Sequence, residues 1–113
     1  MIGIGTDIVD IKRIRKALSN SFLQKVLSPY EIKLCSNFRS ERIIEFVAGR
    51  FAAKEAIIKA LSDYEIPKMA NITISNNEYG KPIVKYKNYN ILVSISHEKE
   101  YAVAVAYLLG VKQ

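Results

Sequence analysis

The sequence predicts an α+β domain: a small antiparallel sheet packed against one long helix, with short N-terminal helices. Three observations lead there. A strand-like segment opens the chain, residues 40 to 63 make one long proline-free helical stretch, and short β-branched or aromatic segments parted by turn residues fill the last third. With 113 residues, half of them apolar and a quarter charged, the chain suits one domain over residues 1–113 with a modest core. It carries no repeat, low-complexity tract or linker.

Residues 2 to 9 read as a strand, with Ile2, Ile4, Thr6 and Ile8 on one face and Gly3, Gly5, Asp7 and Val9 on the other. Asp7 sits in the middle of this apolar segment. A carboxylate withdrawn from water must pair, bind a metal or take up a proton. The glycines beside it leave room for something to approach. Asp10 can cap a following helix of about ten residues, with Ile11, Ile14 and Leu18 inward and Lys12, Arg13, Arg15 and Lys16 mostly outward. "SPYE" at 28 to 31 has a capping-box pattern with Pro29 at the first helical position, predicting a short helix through about Asn37.

The long helix, "SERIIEFVAGRFAAKEAIIKALSD", is apolar almost all round in its middle, yet Arg50, Lys54, Glu55 and Lys59 lie inside it. Segments 71–75, 82–87, 91–97 and 101–109 follow, separated by "NNEYGK", "KNYN" and "EKE", and read as an antiparallel meander. Ile91, Val93, Ile95 and His97 share one face. Ala102, Ala104 and Ala106 form an alanine face on the last strand that lets a helix pack close.

A formal charge of +6 and a pI near 9.5 favour anionic partners and fix no fold. The single cysteine, Cys35, excludes an intrachain disulfide, and with one histidine an intrachain Cys/His zinc site is not expected. There is no secretory apolar region, and no apolar run approaches about 20 residues. A soluble cytoplasmic protein without membrane association is the expectation.

Glu55 and Lys59 stand four apart in the order that favours a surface ion pair. Ala52, Ala53 and Ala56 around Glu55 suit instead a helix approached by another backbone or a bulky ligand. Asp7 alone is an ordinary turn or helix-start residue. Two carboxylates from separate elements, with waters and phosphates completing the shell, are how Mg²⁺ is usually held. His97, at the end of an apolar strand face, is either a satisfied core histidine or a functional one. Arg50, Lys54, Lys59 and Lys81 can line a phosphate site or stay solvated. Gly80 fits a positive φ at a hairpin turn, and Pro82 fits the first position of a strand. "GIGTDI" is not a dinucleotide fingerprint, because Ile8 takes the third glycine position and no parallel βαβ unit follows.

"GIGTDIVDIKRI", "EFVAGRFAAKEAIIKAL", "YGKP" and "VSISHEKEYAVA" resemble, in order and over nearly the whole chain, the holo-acyl-carrier-protein synthase family of short phosphopantetheinyl transferases. The resemblance implies the phosphopantetheinyl transferase fold and transfer of 4′-phosphopantetheine from coenzyme A to a serine of apo-acyl carrier protein. Adenosine 3′,5′-bisphosphate is released, and the reaction supports fatty acid biosynthesis. In the family's pattern Asp7 and Glu55 are the Mg²⁺ ligands, with Mn²⁺ as the alternative ion, and the metal bridges the pyrophosphate of coenzyme A. Lys59 contacts the phosphates and the leaving group. The proton acceptor stays open between a metal-activated water and Glu55 acting through such a water. Ser96 and His97 match residues that touch the nucleotide, and Gly80, Lys81 and Pro82 match the loop near its adenosine end. Arg50 and Lys54 either reach phosphates or close a structural ion pair.

Acyl carrier proteins are acidic, so the basic helix after Asp10 gains a partner. Arg13 falls on the family's carrier-binding arginine, with Lys12, Arg15 and Lys16 beside it and Phe22 and Leu23 as apolar anchor. Short chains of this family form homotrimers with a site at each interface, although the sequence does not itself show three rather than two. Thr6 and the "NNEY" before "GKP" depart from the family's pattern only in detail. Two other classes compete: a basic nucleic-acid-binding module, which lacks exposed aromatics interleaved with the basic residues, and a scaffold that lost the reaction while Asp7, Glu55 and Lys59 remain. No nucleic acid partner is expected.

Overall fold

The computed structural model describes residues 2–112. The elements run β1 (Gly3–Asp10), α1 (Ile11–Ala17), α2 (Asn20–Val26), α3 (Pro29–Leu34) and α4 (Ser40–Leu61), then a single 3-10 turn at Met69–Asn71, β2 (Thr73–Asn76), β3 (Pro82–Lys85), β4 (Tyr89–His97) and β5 (Tyr101–Val111). β1, β5 and β4 form a three-stranded antiparallel sheet in that order, and β2 and β3 form a separate hairpin.

The central packing event is α4 laid across the inner face of the sheet. Side chains shrink wherever the two meet. A Cβ on Gly5 would collide with the Ala56 carbonyl oxygen, and one on Gly3 with that of Ala60, so the glycines of β1 let two backbones touch. Ala52, Ala53 and Ala56 of α4 and Ala102, Ala104 and Ala106 of β5 are buried in the same seam. The register that achieves this pairs Asp7 with Ala104 and Val9 with Ala102. Strand alternation then turns Ile4, Ile8, Leu92, Val103 and Tyr107 outward, where they remain exposed.

Three expectations change. The helix after Asp10 is seven residues, because Leu18 takes an extended conformation (ψ 121°) and Ser19 caps α2, its hydroxyl accepting from the Phe22 amide at 3.1 Å. That second helix was not expected. The third helix has the expected capping box and Pro29 but stops at Leu34 rather than near Asn37, since Cys35 leaves helical geometry (φ −97°, ψ 6°). The meander is broken: β3 packs near β4 without joining its ladder, and Lys87 at φ 48° turns the chain between them. Gly80 has the expected positive φ, 84°. No helix among the described residues is long and apolar enough to cross a membrane.

Candidate active site

α4 presents different chemistry on its two flanks. On the flank beside β1, the Lys59 ammonium donates to the Thr6 carbonyl at 2.9 Å and lies 3.4 Å from Asp7 Oδ1. The Asp7 side chain is 17 % exposed and Lys59 is half exposed. Because Gly5 abuts Ala56 and Asp7 follows two residues later on the same face, the register brings Asp7 to the turn of α4 that carries half-buried Glu55. Two carboxylates and a lysine therefore gather at one edge of the sheet. Their oxygens are hard donors from two rigid elements, and among the described residues the Asp7 carboxylate has only the long Lys59 contact, so the pair fits a divalent cation of the Mg²⁺ or Mn²⁺ type.

The opposite flank borders an open cleft of about 560 Å³. Phe46, Gly49 and Arg50 of α4 form its floor, the β2–β3 loop supplies Asn76, Gly80 and Pro82, and Ile95 and His97 close it from β4. His97 Nδ1 lies 3.6 Å from Glu45 Oε2 on the cleft rim. Arg42 stacks over Phe38 at 3.7 Å and Arg50 over Phe46 at 4.4 Å, giving the cleft cationic and aromatic walls. From Arg50 to Glu55 is about 140° around the helix axis at roughly 100° per residue. Arg50 bonds to β2 while Lys59 bonds to β1, so the two charged groups lie on different flanks of the helix.

Lys54 is the clearest correction. It is fully buried, and its ammonium donates to the Val26 carbonyl at 2.7 Å, Glu31 Oε1 at 2.5 Å and the Met69 carbonyl at 3.0 Å. All three donors are used, so Lys54 holds no ligand; of the two roles left open it takes the structural ion pair. Burial pushes its pKa below the usual lysine value even though Glu31 opposes the shift. Arg50 reaches the cleft and also enters this network; burial likewise lowers its pKa.

The other candidates divide. Ser96 and His97 alternate along β4 and project to opposite faces, so within one chain they do not converge. Lys81 lines a shallow groove on the outer face with Leu92, Ser94 and Tyr107, away from the cleft that Gly80 and Pro82 line. Lys12, Arg13 and Lys16 are exposed on α1, whereas Arg15 is engaged by Glu41 at 2.5 and 3.0 Å. Phe22 is not a free anchor: it is half-buried and stacks on Phe51 with centroids 6.1 Å apart. Glu31 and Asn76 were missed. The capping-box pattern marks Glu31 as a helix-start residue only, and nothing local foretells its burial.

An α+β fold that brings carboxylates and a lysine to one side of a helix and a cationic, aromatic cleft to the other has the chemistry that suits a phosphorylated ligand. The sequence matches the 4′-phosphopantetheinyl transferase superfamily over residues 3–106. It is 41% identical over 113 residues to a holo-[acyl-carrier-protein] synthase of Bacillus cereus, covering 96% of this chain and 95% of the relative. A crystal structure of the Bacillus anthracis holo-(acyl-carrier-protein) synthase in complex with CoA (3′,5′-ADP) superposes with a TM-score of 0.85 at 38% identity, covering 95% of each chain. The Helicobacter pylori synthase in complex with coenzyme A gives 0.77 at 34% identity, covering 93% of this chain and 98% of that one. The chain belongs to the 4′-phosphopantetheinyl transferase superfamily, and its fold and enzyme class are those of that family.

Proposed function

We propose that this protein is a holo-[acyl-carrier-protein] synthase that transfers 4′-phosphopantetheine from coenzyme A to a serine of apo-acyl carrier protein, with Mg²⁺, or Mn²⁺ in its place, in the cytoplasm and in support of fatty acid biosynthesis. The gathering of Asp7, Glu55 and Lys59 at the β1–α4 seam carries the reading. The serine oxygen forms the new P–O bond at the pantetheine-bearing phosphorus, the phosphoanhydride bond breaks, and adenosine 3′,5′-bisphosphate leaves with the bridging oxygen. Asp7 and Glu55 would hold the divalent cation, which when bound would supply charge neutralisation for the pyrophosphate. Lys59, tethered to the Thr6 carbonyl, offers its ammonium to the phosphates and the departing oxygen. The serine proton passes either to a metal-activated water or to Glu55 acting through such a water.

The cleft beside Arg50 and His97 suits the nucleotide end of coenzyme A, and the exposed Lys12, Arg13 and Lys16 suit an acidic carrier protein. Two observations support a homotrimer with sites at its interfaces. The half-sites lie on opposite flanks of α4, and the outer face of the sheet exposes Ile4, Ile8, Leu92, Val103 and Tyr107. Lys81 and Ser96 turn toward that same face and would serve a neighbouring chain's site.

Mass spectrometry of apo-acyl carrier protein incubated with the protein, coenzyme A and Mg²⁺ tests the reading. A gain of one phosphopantetheinyl group, lost with EDTA and with Asp7→Ala, is expected; no gain with folded protein and several carrier proteins overturns it.

A further inference from the structure

Glu31 is wholly buried, yet the capping box needs only one of its four contacts. Oε1 accepts from the Ser28 amide at 2.8 Å and from Lys54, while Oε2 accepts from the Ile74 amide at 2.9 Å and lies 3.5 Å from Arg50 Nε. A carboxylate that served only to neutralise Lys54 would have no use for the arginine. Arg50 in turn donates from Nη2 to the Ile74 carbonyl and to Asn76 Oδ1, both at 3.0 Å, and its guanidinium lies over Phe46. Asn76 donates from Nδ2 to the Gly80 carbonyl at 2.9 Å. A continuous line of contacts runs from Glu31 through Arg50 and Asn76 to the loop that forms the far wall of the cleft.

The geometry of Arg50 has a direction. Its Nε/Nη2 edge is turned inward, with Nε buried and making no hydrogen bond, while Nη1 makes none either and is not among the buried unpartnered atoms. Among the described residues Nη1 has no hydrogen-bond partner, and Arg50 lines the cleft, so the guanidinium can offer this edge to a ligand. An arginine fixed on one edge loses little further side-chain freedom when its other end binds an anion, so the cost of ordering is met in the fold rather than at binding.

We propose that Glu31 is a positioning residue for the transfer reaction: it holds Arg50, and through Asn76 the Gly80 loop, in the orientation that receives an anionic group at the nucleotide end of coenzyme A. The inference rests on the cleft being the nucleotide subsite. Lys54 completes the arrangement by compensating the remaining charge of Glu31, which is why α4 spends a buried lysine there.

The experiment measures kcat and KM for coenzyme A, the affinity for adenosine 3′,5′-bisphosphate, and thermal melting in one set of variants. Arg50→Ala should raise KM and weaken the bisphosphate roughly tenfold with kcat nearly unchanged. If it moves neither, the nucleotide subsite is elsewhere and the proposal falls with it. Glu31→Gln is made together with Lys54→Met, so that no ammonium is left buried and unpaired. This pair should raise KM to a similar extent, keep kcat, and add nothing in the Arg50→Ala background. A folded double variant with unchanged KM, or a rise that adds in full to that of Arg50→Ala, overturns the role of Glu31 while leaving the subsite intact. Asn76→Ala, at the exposed end of the line, does not threaten the core. A smaller rise in KM, absorbed by Arg50→Ala, is expected, and an unchanged or fully additive one overturns the proposal.

Discussion

Lys54 and Glu55 are neighbours in sequence and opposites in environment. Lys54 points into the α3–β2 side of the helix, out of contact with water, with every donor satisfied. Glu55 is half-buried on the turn of α4 that faces β1, where Asp7 meets a half-exposed lysine held by few contacts. Lys54 thus commits its charge to the chain's own fold, while Asp7 and Lys59 on the β1 flank leave theirs only loosely engaged. A saturated buried ion pair is costly to break and useless to a ligand; a loosely tied carboxylate and ammonium are the reverse.

The sharpest way to break this contrast is Lys54→Ala. It leaves Glu31 buried and undercompensated and should cost about 3–5 kcal/mol, a large part of the roughly 5–15 kcal/mol that holds a domain together. Urea denaturation should register it as a lowered midpoint; a stable variant would mean the pair is not structural. Asp7→Ala should do the opposite, with a fall in kcat of roughly a hundredfold or more and little change in melting temperature. A large stability loss there would erase the difference between the flanks.

Gly5→Ala addresses the seam that joins the two sides. The added methyl meets the Ala56 carbonyl oxygen, a backbone atom that cannot swing away, so about 1–3 kcal/mol of stability should be lost. Activity should fall with it, since α4 must lift away from the strand that carries Asp7. Paired calorimetry and turnover measurements check whether the two losses travel together.

The smallest effect concerns a third carboxylate, beyond the end of α4. Glu65 accepts from the Tyr86 hydroxyl at 2.5 Å, from Lys87 at 2.9 Å and from the Tyr89 hydroxyl at 2.7 Å, and these donors, Tyr86 first, hold its pKa at about 2 rather than the ordinary 4.5. The folded-state pKa is depressed, so the stabilisation is complete above the ordinary value and is lost as pH falls from about 4.5 toward about 2. Glu65→Gln should melt below the parent protein at neutral pH, and the gap should close across that acid window. A gap independent of pH would mean that the contacts, not the charge, hold the β3–β4 turn to the segment after α4.

Much of this was legible in residue order. Period-two alternation assigned Asp7 and the glycines to one face of β1 and the alanines to one face of β5, and the length and composition of 40–63 announced the buried helix. The capping box announced α3. What failed locally failed for identifiable reasons: Ser19 can cap a helix as readily as extend one, and two hairpins in succession look alike whether or not the second joins the first.

Residue types and spacing alone determined the α+β class, the faces of each strand and the family resemblance, because each depends on contacts within a few residues or on patterns carried along single elements. Which of the four charges on α4 would be spent on the fold was decided only when α3 and β2 closed over one flank and β1 over the other. That choice depends on partners 23 residues away for Lys54 and 52 for Lys59. Buried charge is tolerated only where such distant partners arrive together, and a sequence does not record their arrival.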